Sequence, residues 1–178
     1  MNTIDGLLDG SATTRAAAQA FIEDPLTFFG MSYTKMQSVP RGVLEELQTA
    51  ALSIRFAQQR ERIPILAKLA DRQGITRVDE IEAVLPLLFE HTMYKSYPTY
   101  LLEKSQFDKL TTWLDRLTSH VLGRVDASGC TSIHSWLDLL CAETEVDPIC
   151  SSGTTGTMSF TPRDKSDWRT QILGGYRV

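Results

Sequence analysis

A chain of 178 residues, 42% hydrophobic and 22% charged, has the balance of a globular protein and is long enough for one real core. Its net charge of −4 offers no field to draw nucleic acid, and no apolar run approaches the roughly 20 residues that span a bilayer. Cys130, Cys141 and Cys150 show no Cys-x-x-Cys spacing, and His91, His120 and His134 lack a second ligand at helical spacing, so reduced thiols and no metal site are expected. The opening Met1-Asn2-Thr3-Ile4-Asp5 lacks the basic and apolar regions of a secretion signal, which makes the cytoplasm the default compartment.

Along the chain, an Ala-rich helix is expected over 13–22, ended by Asp24-Pro25 because the residue before proline avoids the helical region. Leu26, Phe28 and Phe29 form an aromatic cluster that is either core or a lid. Pro40 opens a helix to about residue 60, with Val43, Leu44, Leu47, Ala51, Ile54 and Phe56 on its apolar stripe and Arg55, Arg60 and Arg62 at its negative end. Ile63-Pro64 starts another, stopped by Gly74, and 78–89 is read as a further helix bent or ended by Pro86. Helices follow over 106–120, with Phe107, Leu110, Trp113, Leu114 and Leu117 on one face, and over 132–141, with Thr131 as candidate cap and Ile133, Trp136, Leu137 and Leu140 inside. The segment 123–129 reads as a loop. Asp147-Pro148-Ile149-Cys150 then leads into a loop, 158–161 is the return strand, and Asp164 caps a last helix ended by Gly174-Gly175. The expected fold is mainly α with a short strand–loop–strand at the C-terminal end, in three segments: 1–37, 38–146 and 147–178.

That loop is the stretch with chemistry in it. Ser151, Ser152, Gly153, Thr154, Thr155, Gly156 and Thr157 combine hydroxyl donors with glycines that let the backbone turn through positive φ and approach a ligand closely. Consecutive amides in such a turn form a concave nest for an anion, and hydroxyls add donors without counter-charge, which suits the phosphates of a nucleotide. The common phosphate-loop pattern is not met, since Thr157 and Met158 stand where Lys and Ser or Thr are required after the second glycine, and the dinucleotide Gly-x-Gly is missing.

The Ser-Gly-Thr-Thr-Gly run resembles the signature of the adenylate-forming (AMP-binding) superfamily, nearest to the phenylacetate-CoA ligase and acyl-protein synthetase (luciferin-component ligase) branch. Leu85-Pro86-Leu87-Leu88-Phe89 with Tyr94-Lys95-Ser96-Tyr97-Pro98 resembles the segment those ligases carry upstream of the loop, and Phe160-Thr161-Pro162-Arg163-Asp164 with Trp168 resembles their following strand and helix. The resemblance covers 85–168 and is specific only at the loop. It implies that residues 151–157 hold the β- and γ-phosphates of ATP, with Mg²⁺, while a carboxylic acid is adenylated and passed to a thiol, of CoA or of a protein cysteine. Many members carry Pro-Lys where this chain has Met158-Ser159; Arg163 or Lys165 stands in, or hydroxyls and amides act alone. The family's metal ligand, ribose-binding acid and catalytic lysine lie downstream of the loop. The chain therefore reads as the N-terminal region of a larger ligase, or a split or decayed relative, inactive alone and with no catalytic residue assigned. The rival is a non-catalytic helical interaction module with a flexible Ser/Thr/Gly surface loop.

Overall fold

The computed structural model describes residues 3–153 and 156–175. It is mainly helical, at 60% helix, and the described residues form one two-stranded sheet near the C-terminal end, as the hydrophobic spacing predicts. The chain divides into two compact units. One comprises Met1–Arg60, Ala70–Leu87 and Arg169–Val178; the other comprises Glu61–Leu69 and Leu88–Trp168.

The first unit opens with α1 (Ile4–Leu8), α2 (Thr14–Glu23), α3 (Pro25–Phe28) and α4 (Tyr33–Gln37). Thr13 caps α2 by accepting the Ala16 amide at 3.3 Å. Asp24, extended at φ −150° before Pro25, ends α2 and caps α3 by accepting the Thr27 amide at 3.0 Å. Phe28 and Phe29 meet edge to face at 5.1 Å with Phe21 beside both, so the aromatic cluster is core. Around it pack Ile4, Ala17, Ala18 and Val39, with Leu47 and Ala51 from α5 (Arg41–Arg62).

Helix α6 (Pro64–Gln73) ends where Gly74 turns left-handed at φ +68°, the Gly74 amide reaching Asp71 O and the Ile75 amide reaching Ala70 O at 2.9 Å. Arg60 of α5 pairs with Asp71 at 2.5 Å and donates to Thr76 O, so this arginine fastens the chain that follows α6. The helix expected over 78–89 is only a 3₁₀ turn, Ile81–Leu87, with Pro86 inside it. Proline has no amide to donate and its ring blocks the carbonyl one turn back, so no α-helix propagates there.

The second unit contains α7 (Tyr100–Glu103), α8 (Phe107–Leu114) and α9 (Ile133–Glu143). The apolar face expected over 106–120 is buried at Phe107, Leu110, Leu114 and Leu117, but the helix is shorter. It tightens to a 3₁₀ turn at Asp115–Leu117, and Asp115 accepts the Leu122 amide at 2.6 Å, folding the chain back so that Leu122 joins the core. Trp136 sits at the centre, stacked on Phe107 and edge-on to Phe160 at 5.2 Å. Its indole N–H donates to Thr111 Oγ1 at 2.8 Å, and that hydroxyl donates to Phe107 O, so the buried polar groups are satisfied. The cap of α9 is Ser132 rather than Thr131. Ser132 accepts the Ser135 amide and its own amide donates back to Ser135 Oγ, both at 3.1 Å.

Strands β1 (Val146–Cys150) and β2 (Phe160–Asp164) pair antiparallel, with Val146 opposite Asp164 and Cys150 opposite Phe160. The return strand thus starts two residues later than the expected 158–161 and continues to Asp164. Lys165 N donates to Glu145 O at one end of the ladder and Ser151 N to Ser159 O at the other. By the alternation of antiparallel ladders, Asp147–Arg163 and Ile149–Thr161 are then the hydrogen-bonded pairs between them. Pro148–Pro162 falls on a pair whose backbone groups point outward, so each strand lacks an amide donor at the middle of its outer edge. Val146 and Phe160 are fully buried against the core. Helix α10 (Lys165–Gly175) follows β2, capped by Asp164, which accepts the Ser166 amide at 2.6 Å.

Candidate functional site

The loop joining β1 to β2 is held at its base by its own first hydroxyl. Ser151 Oγ accepts the Ser159 amide at 2.9 Å while the Ser151 amide donates to Ser159 O at 3.1 Å, closing the hairpin one step beyond the strands. Ser151 is half-buried and its hydroxyl builds the base of the loop, and Ser152 is exposed. Gly153 takes φ +68° and its carbonyl accepts the Gly156 amide at 2.9 Å. Thr154 and Thr155 lie outside the described residues. Gly156 has φ +128° and open space around it, whereas a Cβ on Gly153 would stand 2.7 Å from Met158 Cγ and 3.2 Å from Gly156 O. One glycine is therefore required by conformation alone, the other by conformation and close approach. Thr157, like Ser151, is half-buried.

A residue far back in the chain carries the other side of the loop. Tyr97 is buried against Phe160, ring centres 5.5 Å apart, and Trp113, at 5.0 Å, and its hydroxyl donates to Met158 O at 2.9 Å. Burial pushes its phenol above the ordinary value, keeping the O–H as a donor. The preceding Ser96 is set by Trp113, whose indole N–H reaches Ser96 Oγ at 3.1 Å. The Tyr94-to-Pro98 stretch and the Phe160-to-Asp164 stretch, both quoted for the family resemblance, thus meet through Tyr97 and Phe160. Nothing in the spacing of Tyr97 announces this role, since its partner is a backbone carbonyl 61 residues away.

The two cations considered as substitutes for the absent loop lysine have other contacts. Lys165 Nζ donates to Cys141 O at 2.6 Å and Thr144 O at 2.7 Å, satisfying carbonyls at the end of α9. Arg163 has its guanidinium over the Trp168 ring at 4.5 Å. At the far end of β2, Asp164 Oδ2 lies 2.5 Å from His120 Nε2. Partial burial raises the Asp164 carboxyl, but hydrogen bonds from Ser166 and from His120 outweigh it and hold the group below its ordinary value. Among the described residues, no group of three or more His, Cys, Asp or Glu side chains could hold a metal ion, and no helix is long and apolar enough to cross a membrane. Chemically, the arrangement is a hydrogen-bonded hairpin whose connecting loop is rich in hydroxyls and glycines, with a buried tyrosine behind it. No family model, no curated protein and no solved structure matches the chain.

Proposed function

We propose that the chain is the N-terminal region of a cytoplasmic, ATP-dependent carboxylate ligase, and that the loop between β1 and β2 holds the β- and γ-phosphates. The observation carrying this reading is the tip of the hairpin. Gly153 and Gly156 are both at positive φ, at +68° and +128°, between strands whose closing turn is clamped by Ser151, Ser159 and Tyr97. Donors fixed before the reaction stabilise charge as it develops without reorganising.

In the reaction, a carboxylate oxygen attacks the α-phosphorus, the bond to the bridging oxygen breaks, and pyrophosphate leaves with the electron pair. A thiol then attacks the acyl carbonyl, AMP departs, and a thioester of CoA or of a protein cysteine remains. Ser152, Thr154, Thr155 and Thr157 supply hydroxyl donors to the departing phosphates; Ser151 chiefly shapes the loop. The described residues offer no metal ligand set, so no step is assigned to Mg²⁺. Because Lys165 is engaged at α9, neutral donors carry the phosphate contact, with Arg163 the nearest cation in sequence.

The test is an NMR titration of this chain with pyrophosphate and with ATP. The expected result is saturable shifts at the amides of Gly153, Gly156 and Thr157, weakened in Thr155→Val. In a ligase containing this loop, Thr155→Val should cost on the order of 3 kcal/mol of transition-state stabilisation, while this chain alone should catalyse no ATP–pyrophosphate exchange. Absence of any loop response to either ligand overturns the reading. The non-catalytic interaction module would then be preferred. That second reading draws on apolar side chains left in solvent within the second unit, Leu88 at 63% exposure and Val121 at 70%.

A further inference from the structure

We propose that the first unit carries a separate site for an amphipathic carboxylate, in the cavity bounded by α2, the start of α3 and the middle of α5. The cavity is about 470 Å³, within the range of roughly 300–1,000 Å³ that small-molecule sites occupy. Phe21 and Ile22 of α2, Pro25 of α3, Ala51 and Leu52 of α5, and Ile81 of the 3₁₀ turn form its walls. Among the described residues, two polar side chains line it, Gln48 and Arg55, and no acidic one does. The helical repeat explains their placement: 48, 51, 52 and 55 occupy one face of α5 at the spacing of successive turns. The face buries Ala51 into the core, and Arg55, which is exposed, lines the cavity from the same face.

The chemistry follows from that asymmetry. An apolar ligand without charge would bury its body and leave the guanidinium unused. A cation would be repelled, and a highly charged anion such as a nucleotide would find one positive group and apolar walls. A single carboxylate on an apolar body satisfies both parts, because the planar guanidinium presents a fork of N–H donors matching carboxylate geometry. Phe21, whose ring already packs on Phe28 and Phe29, offers a fixed face to that body. This inference does not use the β1–β2 loop, and the described cavity lining contains none of its residues.

The experiment is an NMR titration of the isotope-labelled full chain with three probes sharing one apolar body: phenylbutyrate, phenylbutanamide and phenylbutylamine. The expected result is saturable shifts centred on Phe21, Ala51, Leu52 and Ile81, with the carboxylate binding about two- to five-fold tighter than the amide, as an exposed ion pair allows, and the amine weakest. Arg55→Gln, at an exposed position, should erase the advantage of the carboxylate over the amide while leaving the apolar binding in place. The proposal is overturned if no probe saturates these residues, if the amide or amine binds as well as the carboxylate, or if Arg55→Gln leaves the order intact. The pyrophosphate titration above reads different amides, so either site fails without the other.

Discussion

Gly153 shows how one residue fixes a loop before any ligand is present. At φ +68°, an L side chain pays about 1–2 kcal/mol in backbone strain, and the added Cβ would press on Met158 Cγ at 2.7 Å. Gly153→Ala should therefore loosen the loop of the free chain by at least that amount, read as faster hydrogen exchange at Ser159; unchanged exchange would contradict the turn described. A loss of nucleotide affinity in this variant does not by itself report contact with phosphate, whereas Thr155→Val does.

Asp164 gives a pH dependence at the same scale. Its carboxyl is held below the ordinary 3.8, so its ionised form contributes stability that is present above that value and lost as pH falls through the depressed one. Asp164→Asn keeps a capping oxygen for Ser166 and removes the charge facing His120. Below pH 3.8 the wild type should lose its stability advantage over this variant, seen as converging denaturation midpoints. A gap that stays constant through acid would show that the carboxylate is not stabilised there.

At the scale of elements, the helices were legible where apolar spacing and caps agreed, and illegible where one contact from elsewhere ended them. The Ala-rich helix before Asp24-Pro25 and the stop at Gly74 follow from local chemistry. The shortening of the 106–120 helix depends on Asp115 meeting the Leu122 amide, and the cap at Ser132 rather than Thr131 depends on a reciprocal bond with Ser135. Neither pairing has a signal in periodicity.

The hairpin carries a prediction of its own. Two strands alone present two edges to other chains, and here Pro148 and Pro162 remove the central donor from each. Pro148→Val restores one outward N–H on a β-branched residue and should raise self-association at high concentration, measured by sedimentation equilibrium. If the variant sediments as the wild type does, the prolines are not guarding the edges.

For the whole molecule, the mainly helical architecture with its terminal hairpin could be read from 178 letters because the period of apolar residues changes after Asp147. The loop was found by composition, since two glycines among hydroxyls leave few other backbone shapes. What composition could not supply was its support: a tyrosine at 97, a lysine at 165 drawn to the end of a helix, and a serine hydroxyl spent on its own hairpin. These depend on the folded chain bringing distant backbone carbonyls within reach.

The contact behind the loop also makes the protein its own optical instrument. Tyr97 touches Met158 O with its hydroxyl and Trp113 with its ring, and the indole of Trp113 is fixed by Ser96. Any shift of the Met158 backbone is passed through one phenol to one indole. Emission from Trp113 thus reports the state of the hairpin tip without an attached dye, and Trp113→Phe is the blank that separates its signal from those of buried Trp136 and exposed Trp168.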